Sequence, residues 1–175
     1  ATTFEQGDLL NDFPIIVPSP ALAEVPDEPV GYEIEESFTI ERFNVVVMTQ
    51  SCDLIKLNDE DEVILCPRFD YLELTAREPK RWGKNAWKNL INGRIISAHI
   101  INKCDIENHE FNYQVIDLRR IFSVPLFVIK KVAINQNSRV RLLPPYREHL
   151  AQAFARQFMR VGLPIDLPRK FPYNT

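Results

Sequence analysis

Between Val45 and Leu54 the chain passes abruptly from an apolar run, Val45-Val46-Val47-Met48, into Thr49, Gln50, Ser51, Cys52 and Asp53. Side chains at the mouth of a buried strand stand on rigid scaffold and face a cleft, where binding groups collect. Cys52 reads as a candidate nucleophile with Asp53 or a distant histidine as its partner, because a thiolate forms only beside a base or a positive charge. The same residues also read as a turn, with Ser51 as a cap and Asp53 accepting backbone donors. The sequence leaves both readings open. Of the three histidines, His99 sits in an apolar stretch, as a structural residue or a proton carrier. His109 reads as solvated beside a turn, and His149 lies far from both. The spacing of His99, Cys104 and His109 matches no zinc pattern, so no metal is expected. No Gly-rich phosphate loop, nucleophile elbow or dinucleotide fingerprint occurs in a chain with five glycines, and no cofactor is expected.

Two basic groups point to phosphate. Arg77, Lys80, Arg81, Lys84, Lys88 and Arg94 are interleaved with Trp82 and Trp87. Cations that contact phosphates beside indoles that stack on unpaired bases suit single-stranded RNA or DNA. A charged surface helix with one tryptophan in the core gives the same pattern. Lys84, Trp87 and Lys88 are the candidate contacts here, with Thr49 and Ser51 at the strand mouth. Farther on, Arg156 and Arg160 share a helix arc with His149 and Gln152. Two arginines four residues apart repel, so an external phosphate or a carboxylate such as Asp117 is the expected partner.

The elements that must position these groups follow from the apolar pattern. Residues 8–17 read as a first strand, followed by an exposed proline-rich loop over 18–30. Alternation over 31–43 predicts a half-buried strand with an irregularity near Glu36-Ser37. Val45–Met48 reads as a strand covered on both faces, with Val63–Cys66 as its neighbour. Helices are expected over 69–77 and 85–92, the second closed by Gly93. Strands are expected around Ile95–Ile101 and Phe111–Ile116, and over Leu126–Ile129 and Val140–Leu143. A helix over 145–161, opened by Pro145 and stopped at Gly162, turns Leu150, Phe154, Phe158 and Val161 to one side. A surface tail occupies 164–175. The expected fold class is a single α+β domain. Its sheet is mainly antiparallel, strongly bent or closed into a small barrel, with short helices and a C-terminal amphipathic helix.

Composition bounds the function. The chain has 175 residues, of which 45% are hydrophobic and 26% charged, with net charge −3. That is globular composition without a wholesale attraction to polyanions or anionic membrane. Three cysteines without a C-x-x-C pair suggest a reducing compartment, hence the cytoplasm. No apolar run approaches the roughly 20 residues that span a bilayer, and the first residues lack a signal-peptide pattern. No membrane partner is expected.

Gly7-Asp8 opening the first strand, the long loop after it, Arg42 before Val45-Val46-Val47-Met48-Thr49, and Val63-Ile64-Leu65-Cys66-Pro67 together resemble the MazF/PemK-like family of small β-barrels. The likeness covers about the first 70 residues. It implies a barrel-like fold and ribosome-independent endoribonuclease activity, with Arg42 contributing to catalysis. Where the family has Arg-Pro, this chain has Arg42-Phe43-Asn44. Where the family has Thr or Ser after the proline-ended strand, it has Arg68-Phe69. The leading expectation is a nucleic-acid-directed protein, a nuclease-like toxin or defence component. Arg42 would stabilise charge on phosphorus, and His99 or Asp53 would handle the proton. The rival expectations are a non-enzymatic module that docks on a protein partner through its C-terminal helix or tail, and a cysteine-dependent enzyme centred on Cys52.

Overall fold

The computed structural model describes residues 3–20, 38–136 and 138–159. Among the described residues six strands form one antiparallel sheet: β1 (Leu9–Pro18), β2 (Phe38–Val47), β3 (Glu62–Asp70), β4 (Ala98–Ile101), β5 (Gln114–Asp117) and β6 (Phe122–Pro125). The sheet is bent but open, in the order β1-β2-β3-β5-β4, with β6 also paired to β3. The architecture is therefore α+β with an open sheet rather than a closed barrel. Val46 and Val47 pair with Cys66 and Leu65, which makes β2 and β3 the central pair that the apolar runs predict. One edge of β3 is shared, since Glu62–Leu65 pairs with β6 and Arg68–Asp70 with β5.

Alternation in β2 splits the core. Val45 and Val47 join Leu10, Phe13 and Leu65 on one face, beneath Leu126 and Ile129 of α5 (Leu126–Asn135). Val46 joins Leu9, Cys66 and Ile116 on the other, beneath Leu150 and Ala153 of α6 (Tyr146–Phe158). A strand covered on both faces has no polar alternation, hence the unbroken valines. A third cluster, Trp82, Leu90 and Val115 among its members, lies under α2 (Tyr71–Arg77), α3 (Pro79–Trp82) and α4 (Lys84–Ile91). Asp70 caps α2 by accepting the N–H groups of Leu72 and Glu73. Gly93 follows α4 at φ +62°, the left-handed conformation that a C-terminal glycine supplies. A four-residue helix, α1 (Ser51–Leu54), follows β2.

Buried Asp8 ties the N-terminal segment to the residues that lead into α6. It pairs with Arg139 at 2.9 Å and with Arg141, while Glu5 pairs with Arg141 and with Arg147 of α6. Among the described residues no helix is long and apolar enough to cross a membrane.

Several elements differ from the sequence reading. Leu126–Ile129 opens helix α5 instead of forming a strand, and the strand there is β6, just before it. A four-residue apolar run fits either period, and here Leu126 and Ile129 bury at helical spacing while Phe127 is exposed. Val140–Leu143 contributes only the bridge between Arg141 and Asp8. Phe69 and Asp70 belong to β3, so α2 starts two residues later than expected. The two strands expected on either side of Asn44 are one, β2. Residues 21–37, Arg160, Val161 and the tail lie outside the described residues.

Candidate functional site

The strand-mouth residues are used locally. Thr49 Oγ1 accepts the N–H of Ile64 at 2.8 Å, and Ser51 Oγ accepts the N–H of Gln6 at 3.1 Å. These contacts fasten α1 to β3 and to the N-terminal segment. Cys52 and Asp53 are exposed on α1, with the Cys52 sulfur 3.8 Å from Asp53 Oδ1 and 3.7 Å from Gln50 Oε1. Neither neighbour supplies the positive charge that draws a thiol into its reactive form.

Arg42 lands elsewhere, in a polar cleft of about 460 Å³ that it shares with Asn11, Asp12, His109, Gln136 and Ser138. The cleft is built on a bulge in β1, where the register with β2 shifts between Leu10 and Phe13. Asp12 there has φ +49°, and Asn108 on the same cleft has φ +66°. Left-handed backbone at a residue with a side chain persists only where its surroundings hold it, and such positions cluster at functional sites. The bulge is held from several sides. The Asn11 N–H donates to Gln136 Oε1 at 3.2 Å, and Gln136 Nε2 donates back to the Asn11 carbonyl. The Asp12 N–H donates to Asn44 Oδ1 at 3.0 Å. Arg42 donates to the Asp12 carbonyl at 3.1 Å and to its carboxylate at 2.9 Å.

That ion pair is open to water, with the Arg42 side chain 59% and the Asp12 side chain 71% exposed. An exposed pair is worth about 0–1 kcal/mol, so an incoming phosphate can take the guanidinium from Asp12. Across the cleft, His109 Nε2 lies 2.7 Å from Ser138 Oγ. An imidazole and a guanidinium lining one solvent-open cleft are the pairing that phosphodiester chemistry uses, one group for the proton and one for the charge. The Ser–His pair also has the spacing of a nucleophile and its base. Among the described residues, however, no third group hydrogen-bonds the other ring nitrogen to orient it.

Beneath the cleft lies Arg68, buried in β3. Its guanidinium donates to Asn11 and Gln114 and sits 5.4 Å from the centre of the Phe111 ring, with no carboxylate against it among the described residues. Burial pushes it down from 12.5 to about 10, still charged at neutral pH. Arg68 thus holds Asn11, and with it the bulge, from below.

His99 lies apart from Arg42. On β4 it lines a second, mainly apolar cavity of about 460 Å³ with Trp87, Phe111, Tyr113 and Tyr146. Burial pushes its ring down to about 4, and the nearby His149 and Arg156 push in the same direction. It is neutral at pH 7, and a ring at that value is a weak base there. None of Thr49, Ser51, Cys52 and Asp53 lines either cavity. Trp87 is half-buried between Tyr71 and Tyr113, with ring centres 5.0 and 4.9 Å away, while Lys84 and Lys88 on the same helix are exposed. Arg156 is exposed on α6 close to Gly93.

Sequence reasoning placed Arg42 among the functional candidates but missed Asp12, His109 and Ser138. The only signal for them was polar residues at two turns, which any solvated loop shows. Among the described residues no group of three or more His, Cys, Asp or Glu is placed to hold a metal ion. Comparison with known proteins returns no family model, no curated protein and no solved structure that matches the chain.

Proposed function

We propose that this protein binds single-stranded RNA and cleaves it at the cleft formed by Arg42 and His109, the activity of a toxin-like or defence nuclease. The observation that carries the reading is the sharing of one polar cleft, anchored on a strained bulge, by the Arg42 guanidinium and the His109–Ser138 pair. The backbone phosphate displaces Asp12 from Arg42. The ribose 2′-oxygen attacks phosphorus and gives its proton to His109. The bond from phosphorus to the 5′-oxygen breaks, and that oxygen takes a proton from the imidazolium, which regenerates the base. The products are a 2′,3′-cyclic phosphate and a 5′-hydroxyl. Arg42 neutralises the charge that grows on the phosphoryl oxygens. The resemblance to MazF/PemK-like endoribonucleases supports the same substrate class.

End-labelled single-stranded RNA tests this. The wild type should release cyclic-phosphate ends, and Arg42→Ala should cut about 10²–10³-fold more slowly, the usual loss of one charge-stabilising donor. DNA of the same sequence, without the 2′-hydroxyl, should be bound and left intact. Undiminished cleavage by a folded Arg42→Ala protein, or none by the wild type, contradicts the reading.

A second reading, a non-enzymatic module that docks through α6, is favoured by the exposure of Leu143, Tyr146, Phe158 and Met159 on and beside that helix. It requires no turnover of RNA and a protein partner whose co-purification is lost when Phe158 and Met159 are changed to serine.

A further inference from the structure

The cavity lined by His99 is built differently from the cleft. It runs along β4, an edge strand of the sheet, and its walls are Trp87, Phe111, Tyr113 and Tyr146. Tyr113 and Tyr146 are 39% and 60% exposed, a large aromatic area left open to solvent inside a concavity. Trp87 is fixed in advance by its edge contacts with Tyr71 and Tyr113, so little side-chain freedom is lost when a planar group arrives. Besides the tyrosines, the ionisable side chains that line the cavity are His99, Lys103, Cys104 and Arg141, and no carboxylate lines it among the described residues. Lys103 is paired with Asp105, and Arg141 with Asp8 and Glu5. Facing His99 from α6 are His149 and Arg156, for which no ion pair is recorded among the described residues. Aromatic walls without a carboxylate among the described lining residues, and with the Arg156 guanidinium close to His99, fit a flat, anionic ligand better than an apolar peptide. A neutral imidazole also offers one donor and one acceptor, the pairing that reads a base edge.

The two cavities are adjacent along the chain. Asn108, His109 and Ser138 line the polar cleft, while Cys104, Phe111 and Val140 line the aromatic one. The bridge between Cys104 and Phe111 closes the turn whose tip carries Asn108 and His109. Buried Arg68 lies under both, touching Asn11 of the first and Phe111 of the second.

We infer that the aromatic cavity beside β4 is a base-binding pocket, which takes one unpaired nucleobase of a single strand while a neighbouring phosphate occupies the Arg42 cleft. This rests on the nucleic-acid reading above but not on cleavage. The test uses the full chain and a 2′-O-methyl RNA hexamer, which cannot undergo the transesterification, beside an abasic hexamer with the same phosphates. Binding is followed by tryptophan fluorescence and by the anisotropy of a labelled strand. The normal hexamer should quench Trp87 saturably, and the abasic strand should bind about 5- to 150-fold more weakly, the loss that follows from one stacked base. Trp87→Ala should weaken the normal hexamer to a similar degree and leave the abasic one unchanged. Trp87→Phe, which preserves the ring packing, and the surface change Tyr146→Ala guard against a folding defect and should give smaller losses of the same kind.

Equal affinity for normal and abasic strands overturns the pocket. So does indifference to all three variants, or quenching only by an uncharged extended hexapeptide, which would assign the β4 edge to strand addition. The two proposals fail separately. Base-dependent binding without cutting of ordinary RNA leaves the pocket and removes the nuclease. Arg42-dependent cutting with base-independent binding does the reverse.

Discussion

His99 gives a prediction whose size follows from the structure. Burial against β4 and α6 lowers its ring from 6.5 to about 4, and His149 and Arg156 add to the effect. In the unfolded chain the ring returns to about 6.5. As pH falls below 6.5 the unfolded state therefore takes up a proton that the native state refuses. The stability tied to this ring is whole above pH 6.5 and is lost as pH drops towards 4. A difference of about 2.5 pH units at 1.36 kcal/mol each is worth about 3 kcal/mol. Urea unfolding from pH 7.5 to 4 should show the wild type losing about 3 kcal/mol more than His99→Gln, whose side chain does not titrate. Taking the difference cancels the carboxylates common to both proteins. NMR of the ring carbon protons should place the native titration of His99 near pH 4. Arg156→Ala and His149→Gln should each move it upward, because each removes a repelling cation. A native midpoint between 6 and 7, or parallel stability curves for the two proteins, refutes the argument that burial governs this ring.

Other perturbations read different parts of the molecule. Asp8→Ala leaves Arg139 and Arg141 without their shared buried carboxylate and should cost about 3 kcal/mol in urea unfolding, the scale of a broken buried pair. Leu150→Ala opens a hole between α6 and the sheet, and a loss of about 2–5 kcal/mol would show that the helix is docked through that residue. Iodoacetamide followed by peptide mass spectrometry should label exposed Cys52 in the native protein. Buried Cys66, whose thiol is pushed up to about 12 by burial and by Asp117, should react only after unfolding.

The parts of the fold legible in the sequence were those with one physical cause. The four-residue apolar run at Val45–Met48 marks a strand buried on both faces, and its pairing with Val63–Cys66 follows from the shared need for cover. Leu150 buries on α6 and Phe154 packs against the same cluster because helical periodicity survives over thirteen residues. Phe158 was expected on the same covered side and is instead 51% exposed, its ring edge-on against Phe154 in the last turn of the helix. Leu126–Ile129 shows the limit of pattern reading, because four apolar residues fit a strand or one turn of helix equally well. The candidate site was less legible still. Arg42 was visible as an arginine ahead of the central strand. The bulge that turns Asp12 towards it depends on Asn44, Gln136 and Arg68, which lie 32 to 125 residues away in the chain. Nor could the sequence show that the turn at Asn108-His109 and the segment at Ser138 meet across one cleft. Long-range assembly of this kind has no local signature. Thr49 and Ser51 carry the opposite lesson, since polar residues at a strand mouth also serve to tie backbone N–H groups.

The most direct test of the Arg42–His109 cleft is NMR of the histidine rings and arginine Nε–H groups during titration with the 2′-O-methyl hexamer. The signals of His109 and Arg42 should shift together and saturate with one dissociation constant, and the His109 shift should vanish in Arg42→Ala. If the strand binds while His109 and Arg42 stay unmoved, and the shifts fall instead on the surface of α4 around Lys84 and Lys88, the phosphate does not enter the cleft.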